Sequence, residues 1–448
     1  MKPPQAPPPY LVLAKRARER DRFNEVIVRS LDLGPTVEGR YRHWHTLRHL
    51  TPPEGLSHEE WWLALKLVRQ GGRREIPLKD RAERPFWFTL PDEVLRLVQE
   101  VNVNLGGHVS LPRDAVSPEQ RDRYVFNALA EEAITSSQLE GAVTTRMVAK
   151  EMLRSGRAPR DESEQMILGN YRVMQRVREV ASDPLTPGLV RELQRIVTAG
   201  TLSDERKGVR RPGVDAHDVG VYSGTTLLHK PPPATELDGR MEAMCAFANE
   251  TGNEGPFTPP VVRAIVLHFW LAYDHPFVDG NGRTARALFY WSMLRQGFWL
   301  AEYLSISRIL RKGHARYGRA FLYTESDEND LTYFVLNQLA VIVRATDGLR
   351  TYVARKGREM REARALLTPD SGLNHRQIAL LSHALKHPGH VYTIRSHATS
   401  HGVSPLTARK DLLALEEGGF VEKRRLRRQG RALAFTAPPD LGDRLRPA

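Results

Sequence analysis

HPFVDGNGRTAR occupies residues 275–286. It places a His, an Asp, two Gly around an Asn, and two Arg three positions apart in a short span. The segments on either side, PPVVRAIVLHFWLAYDH and NGRTARALFYWSMLRQG, carry helical patterning, so the stretch reads as helix, loop, helix with GNG in the turn. Glycines let backbone N–H groups converge on one point and form an anion nest. The second helix begins there, so its N-terminal amides and macrodipole act on the same spot. Arg283 and Arg286 are spaced i,i+3 and are expected to project from one face. Guanidinium groups suit bidentate phosphate binding. Asn281 can donate to a phosphoryl oxygen, and Asp279 is a hard oxygen ligand of the kind Mg²⁺ takes alongside phosphates. His275, at the helix end, can accept a proton from an attacking hydroxyl. Pro276 and Phe277 read as packing that fixes the loop. These parts describe a nucleoside triphosphate–Mg²⁺ site with a general base.

Two other readings of the same residues are weaker. GNGRTA matches the dinucleotide fingerprint G-x-G-x-x-A, but that fingerprint needs a buried strand before it, and here a helix precedes it. Asp274–His275 hints at a metal phosphohydrolase, but further ligands are not evident.

The 448 residues are enough for two to four domains. Hydrophobic content of 41% and charged content of 27% are ordinary for a soluble globular chain. No apolar run approaches the ~18 residues that suggest a membrane span. The N-terminal MKPPQAPPPYLVLAKRARER has prolines where a signal peptide needs an apolar helix, so it reads as an extended tail. The single Cys245 excludes an internal disulfide framework and lies in apolar MEAMCAFA, as a buried inert thiol would. A reducing cytoplasm is the expected location. Net charge is +13, and residues 371–448 hold 13 Lys and Arg against 6 Asp and Glu. That basic end suits a polyanion.

Residues 21–110 read as a small helical region with one or two strands. Residues 119–180 read as long amphipathic helices. Residues 205–235 change to Gly, Pro, Val and Thr, which predicts a β-hairpin. TPDSG at 368–372 is a break. After it, LNHRQIALLSHALKH reads as a helix, IRSHATSHGVSPLTARKDLLALEEGG as helix, turn, helix, and FVEKRRLRRQGRALAFTA as two strands around a basic turn. That order predicts a winged helix-turn-helix.

HPFVDGNGRTAR matches, without departure, the motif HxFx(D/E)GNGRxxR of the Fic family, which it resembles over roughly residues 120–350. The resemblance implies a mainly α fold. It implies a helical Fic core with a β-hairpin flap, placed in a Fic domain over 119–366 with an inhibitory helix at about 125–141. The patterning along the chain adds a mostly helical N-terminal region over 1–118 and the winged helix-turn-helix domain over 367–448. The resemblance implies transfer of AMP from ATP, with Mg²⁺, to a hydroxyl side chain of a target protein. His275 would be the base and Asp279 the metal ligand. Gly280, Asn281 and Gly282 would form the anion hole, and Arg283 and Arg286 would bind the outer phosphates. UTP or GTP would meet the same phosphate machinery.

TSSQLEG at 135–141 would alone be a solvated helix face. Beside the Fic resemblance it fits the inhibitory pattern (S/T)xxxE(G/N) through Ser136, Glu140 and Gly141. The implied role is a Glu140 that pairs with Arg286 and takes it from the γ-phosphate. In some relatives the same glutamate orients a water that removes AMP. GVYSGTTLLHKPPP resembles the flap that positions the target by β-augmentation, with Thr225, Thr226, Leu227, Leu228, His229 and Lys230 as its edge. His268 reads as a core histidine.

In the C-terminal unit, Ser404 reads as a cap, and Thr407, Arg409 and Lys410 as groups on a recognition helix whose other face is Leu406, Leu412, Leu413 and Leu415. Arg424, Arg425, Arg427, Arg428 and Arg431 surround the wing and suit phosphate contacts. DNA is one expected partner, and protein contact is the alternative for such a module. Relatives often dimerise, so a homodimer is a further expectation; no membrane partner is expected. The leading reading is a self-inhibited protein adenylyltransferase. The alternative is a nucleotide-responsive DNA-binding regulator that uses the fold as a sensor.

Overall fold

The helix that leads into the motif is buried on all sides. In the computed structural model, which describes residues 3–106, 118–213, 220–250, 257–365, 372–425 and 433–445, 13 of the 15 residues of Pro260–Asp274 are buried. A helix apolar on every side belongs in the centre of a domain. The fold is mainly helical. In chain order come α1 (Tyr10–Glu19), α2 (Phe23–Asp32), α3 (Trp44–Leu47), α4 (His58–Gly71), β1 (Arg74–Lys79), β2 (Pro85–Phe88) and α5 (Asp92–Val101). Next come α6 (Pro118–Leu139), α7 (Arg146–Ser155), α8 (Glu162–Glu179), α9 (Pro187–Val197), β3 (Val221–Ser223), β4 (Thr226–His229) and α10 (Leu237–Asn249). The central pair is α11 (Pro260–Asp274) and α12 (Asn281–Arg295), followed by α13 (Ile306–Lys312), α14 (His314–Ser326) and α15 (Thr332–Ala365). The chain closes with α16 (His375–Lys386), β5 (Val391–Thr393), α17 (Ile394–His401), α18 (Pro405–Glu417), β6 (Glu422–Arg425), β7 (Leu433–Thr436) and α19 (Leu441–Arg444).

Compactness groups these elements into two units, each discontinuous in sequence. The first holds residues 1–107, 172–301 and 306–344; the second holds 108–171, 302–305 and 345–448. Residues 119–171, which sequence places with the segment that follows them, are thus grouped with the C-terminal elements.

In the first unit α12 packs along α11 and against α9. The N-terminal helices build a core around Trp44, Trp61, Trp62 and Leu65. Ser57 and Glu60 close a capping box at the start of α4. A buried ionic cluster ties α4 to the turn before α15. Lys66 Nζ lies 2.8 Å from Asp327, and Arg69 donates to the Tyr333 hydroxyl, which donates to Asp327. Burial opposes the charge on Asp327, but Lys66 beside it holds the carboxyl below its usual range.

In the second unit α6, α7 and the first half of α8 share a core of Phe126, Ile134, Met152 and Ile167. The elements from α16 to α19 surround Leu380, Leu412, Leu415 and Phe435, with a three-stranded sheet in the order β5-β7-β6. β5 is a strand the sequence reading lacks; three residues before a helix carry too little alternation to be seen. Leu406 departs from expectation. It is 65% exposed, and the buried stripe of α18 is Ala408, Asp411, Leu412 and Leu415. That i, i+3, i+4, i+7 set includes a charged residue and leaves Leu406 off its face. α17 packs against α6 and α7.

Candidate active site

His275 ends α11 in the left-handed region, at φ 44° and ψ 54°, with its N–H bonded to the Leu271 carbonyl. A non-glycine residue there is uncommon and is held only by its surroundings. The holder is Arg210. Its Nε donates to the His275 carbonyl at 2.8 Å, and its Nη2 donates to both the Pro232 and Asp274 carbonyls. Its backbone N–H also reaches the Pro276 carbonyl at 2.8 Å, beside a bridge from Val209 to Phe277. Nothing in RKGVRRPG marks Arg210 among its neighbours, because the stretch has no periodicity to read.

Gly280 is the N-cap of α12, at φ 84°. A Cβ there would lie 2.9 Å from the Thr198 methyl and 3.0 Å from Val197, so both the conformation and the space call for glycine. Gln194 of α9, fully buried, donates to the Asp279 carbonyl and accepts from the Gly208 N–H. The loop is therefore fixed from the α9 side as well. The backbone N–H groups of 280–282 open α12 and carry the positive end of its dipole.

The side chains of the motif divide into two sets. Asn281 is buried, and its amide makes a reciprocal pair with Phe277: Nδ2 donates to the carbonyl at 2.8 Å and Oδ1 accepts from the N–H at 2.9 Å. Its side chain therefore shapes the loop, which leaves its backbone N–H for an anion. Arg283 does not project outward, and nor does Arg286. The Arg283 side chain is 1% exposed, donating to the Val197 carbonyl and to Asp279 Oδ2, each at 2.8 Å. The i,i+3 spacing predicts a shared face, but the closeness of α9 turns this arginine inward. Asp279 is half-exposed, with Oδ2 held by Arg283. Arg286 is buried near His268, whose pKa falls to about 3, chiefly through burial and then through the arginine's charge. His268 is thus a neutral core imidazole bonded to the Tyr317 hydroxyl. Asp274 is no open metal ligand. It is buried between Arg240, at 2.7 Å, and the Trp270 indole N–H.

The hairpin forms at β3 and β4, with Gly224 and Thr225 in the turn. Thr225, Thr226, Leu227 and Lys230 are exposed and Leu228 is half-buried. His229 is no docking edge. It is buried, its Nδ1 lies 2.7 Å from Glu325 and its Nε2 2.7 Å from the Tyr273 carbonyl, so it pins the strand to α11 and α14. Burial works against its charge, but the two acceptors raise its pKa.

In the second unit, α6 ends at Leu139. Ser136 is buried, Glu140 is exposed, and Gly141 takes φ 100° to leave the helix. On α18, Ser404 caps the N–H of Thr407, and Arg409 and Lys410 are exposed. Arg424 and Arg425 belong to β6, while Arg427, Arg428 and Arg431 lie outside the described residues. Among the described residues no set of three His, Cys, Asp or Glu is disposed to hold a metal, and no helix is long and apolar enough to cross a membrane.

Residues 184–293 match the Fic/DOC family. The matched stretch runs from just before α9 to near the end of α12 and contains the whole loop. A protein adenylyltransferase Fic of Nematostella vectensis is 36% identical over 84 residues, 18% of this chain and 19% of that protein. The protein adenylyltransferase fic-1 of Caenorhabditis elegans is 54% identical over 59 residues, 13% of this chain and 12% of that protein. The matched stretches thus span less than a fifth of either relative. Among solved structures, a Fic family protein from Desulfovibrio desulfuricans G20 superposes with a TM-score of 0.48 at 22% identity, covering 78% of this chain and 97% of that one.

Proposed function

We propose that the chain is a protein adenylyltransferase. The observation that carries this reading is the placing of His275. A strained imidazole-bearing residue, its carbonyl clamped by Arg210, stands beside the amide-rich start of α12 and the half-exposed Asp279. A target Ser, Thr or Tyr hydroxyl would attack the α-phosphorus of ATP. The new P–O bond forms as the α–β P–O bond breaks, pyrophosphate leaves, and the hydroxyl proton passes to the His275 imidazole. The backbone N–H groups of Gly280, Asn281 and Gly282 would bind the charge that develops on the phosphoryl oxygens. Arg286 would bind the outer phosphates, and Arg283 would act by holding Asp279.

The residues suit Mg²⁺. Asp279 keeps Oδ1 clear of the Arg283 contact, and Mg²⁺ takes one or two carboxylates along with phosphate oxygens. When bound, the ion would neutralise phosphate charge. Glu140, at the exit of α6 with Ser136 and Gly141, would be an inhibitor that pairs with Arg286; removal of AMP by a water it orients belongs to the same proposal. The exposed edge Thr225–Leu227 would receive the target segment by strand addition. The elements from α16 to β7 would form a winged helix that contacts DNA through Arg409 and Lys410.

The test uses wild type, Glu140→Gly, and Glu140→Gly with His275→Ala, each incubated with Mg²⁺ and ATP labelled at the α-phosphate. Labelled protein with Glu140→Gly, weak labelling with wild type and none with the double variant support the reading. Labelling that persists without His275, or is absent from every variant in a lysate that holds the target, overturns it.

A further inference from the structure

The second unit holds a half-open pocket of about 50 Å³. Its chemistry comes from Arg154 of α7, His383 of α16, His390 and Tyr392 at β5, and His397 and His401 of α17. α6 adds Asn127 to the wall. Among the described residues, no Asp or Glu lines it. Asp411, which His397 meets at 3.1 Å, is already bound by Arg376 and Asn374. The lining therefore pairs a permanent cation with four imidazoles and a phenol.

Several of these groups are built in rather than draped over a surface. Tyr392, His397 and His401 are 8%, 3% and 6% exposed. The Tyr392 hydroxyl lies 2.7 Å from His383 Nδ1, which orients that ring. His383 and His390 have ring centroids 4.9 Å apart. The pKa of His390 is lowered by burial and then by the charges of Arg154 and His387, the mark of a positive potential at this point. At roughly 10–15 Å³ per water, the volume holds about three to five waters, or one tetrahedral oxyanion. A metal cation would meet the Arg154 charge instead of a carboxylate.

We propose that this cavity binds one tetrahedral oxyanion, as inorganic phosphate or as the phosphate end of a small monoester. The planar fork of Arg154 would take two oxygens, and the imidazoles and hydroxyls of the C-terminal elements the others. Binding here is independent of the reading given to residues 275–286.

The test follows the histidine ring signals of the full-length protein, nitrogen-labelled at histidine. His383 and His390 are assigned through His→Gln variants. Inorganic phosphate and glycerol phosphate are added in turn, with chloride at matched ionic strength as reference. The expected result is saturable movement of both signals with phosphate and a higher titration midpoint for His390, because a bound anion favours imidazolium. Arg154→Gln abolishes the response and Arg154→Lys recovers part of it. Arg286→Ala leaves it intact, which separates it from phosphate at the start of α12. A response to both probes assigns a monoester end, and a response to inorganic phosphate alone assigns a closed ion site. Should Arg154→Gln not fold, Tyr392→Phe and Ser400→Ala, which removes another lining hydroxyl, serve, each weakening saturation. Signals that stay still with both probes, that move equally in the variants, or that move equally with chloride overturn the proposal.

Discussion

The loop at 275–286 and helix α18 are both rich in polar and charged residues, yet the fold treats them oppositely. In the loop most of that polarity faces inward. Asn281 closes on Phe277, Arg283 on Val197 and Asp279, and Arg210 reaches in from outside to hold His275. On α18 the inward polar group is Asp411 alone, while Leu406, Arg409 and Lys410 stand in solvent. Buried polar groups must find partners, so each partner in the loop fixes an angle of the backbone. An exposed row fixes nothing and can adapt to what it meets. A reaction centre needs the first arrangement and an electrostatic docking face needs only the second.

The comparison breaks most readily at Asp411. It accepts from Arg376 at 2.6 Å, from Asn374 at 2.8 Å and from His397, all inside the C-terminal elements. Asp411→Ala removes the carboxylate that Arg376, Asn374 and His397 share and should cost about 3–5 kcal/mol, as breaking a buried pair does. Urea unfolding of the full chain measures it. Burial opposes the Asp411 charge, but His397, Arg376 and Asn374 hold the carboxyl far below its usual range. Its contribution is therefore complete above about pH 4 and is lost as pH falls towards the depressed value. A variant with an unchanged urea midpoint would show that α18 is not anchored by this residue.

Gly280→Ala comes next. The added methyl meets Thr198 and Val197, and the φ of 84° is unfavourable for alanine. Overpacking and strain together should cost about 2–4 kcal/mol. If the proposed chemistry holds, AMP transfer should fall by roughly 10²–10³, the size of losing one oxyanion donor. A variant that unfolds at the wild-type midpoint would mean that α9 can yield, and that the loop is softer than its contacts imply.

A smaller effect tests the hairpin. His229 donates best when doubly protonated, to Glu325 and to the Tyr273 carbonyl, and its pKa is raised. Its stabilisation is complete below about pH 6.5 and fades as pH rises through the raised value. Amide exchange across Val221–His229 should accelerate over that rise, and Glu325→Gln should flatten the dependence. Exchange that ignores pH beyond its intrinsic rate would detach the hairpin from this histidine.

How much of this was legible follows from what sequence can carry. The motif names its residues because they are contiguous, and the helices around it show as long, largely apolar runs. The hairpin is marked by Gly, Thr and a proline stop. What the sequence does not carry is direction across space. Arg283 and Arg286 look alike at i,i+3 until α9 supplies a carbonyl to one of them. His229 reads as strand edge because Glu325 lies 96 positions away. Arg210 is one basic residue in a basic run. Leu406 reads as core from its type, and only the depth of Asp411 sets the true register of α18.

The smallest effect on stability is also the one that sharpens the contrast. Arg409→Ala and Lys410→Ala remove exposed groups, so stability should move by no more than about 0.5 kcal/mol. If α18 docks on DNA, each should weaken binding across sequences alike and lower the salt slope by about 1. Affinity measured against salt on a random-sequence duplex reads this directly. A slope near zero in wild type would remove DNA as the partner of this face. A slope that survives both changes would move the phosphate contacts to the arginines after β6. Either way the loop at 275–286 should keep its geometry, because Arg210, Val197 and Gln194 set it.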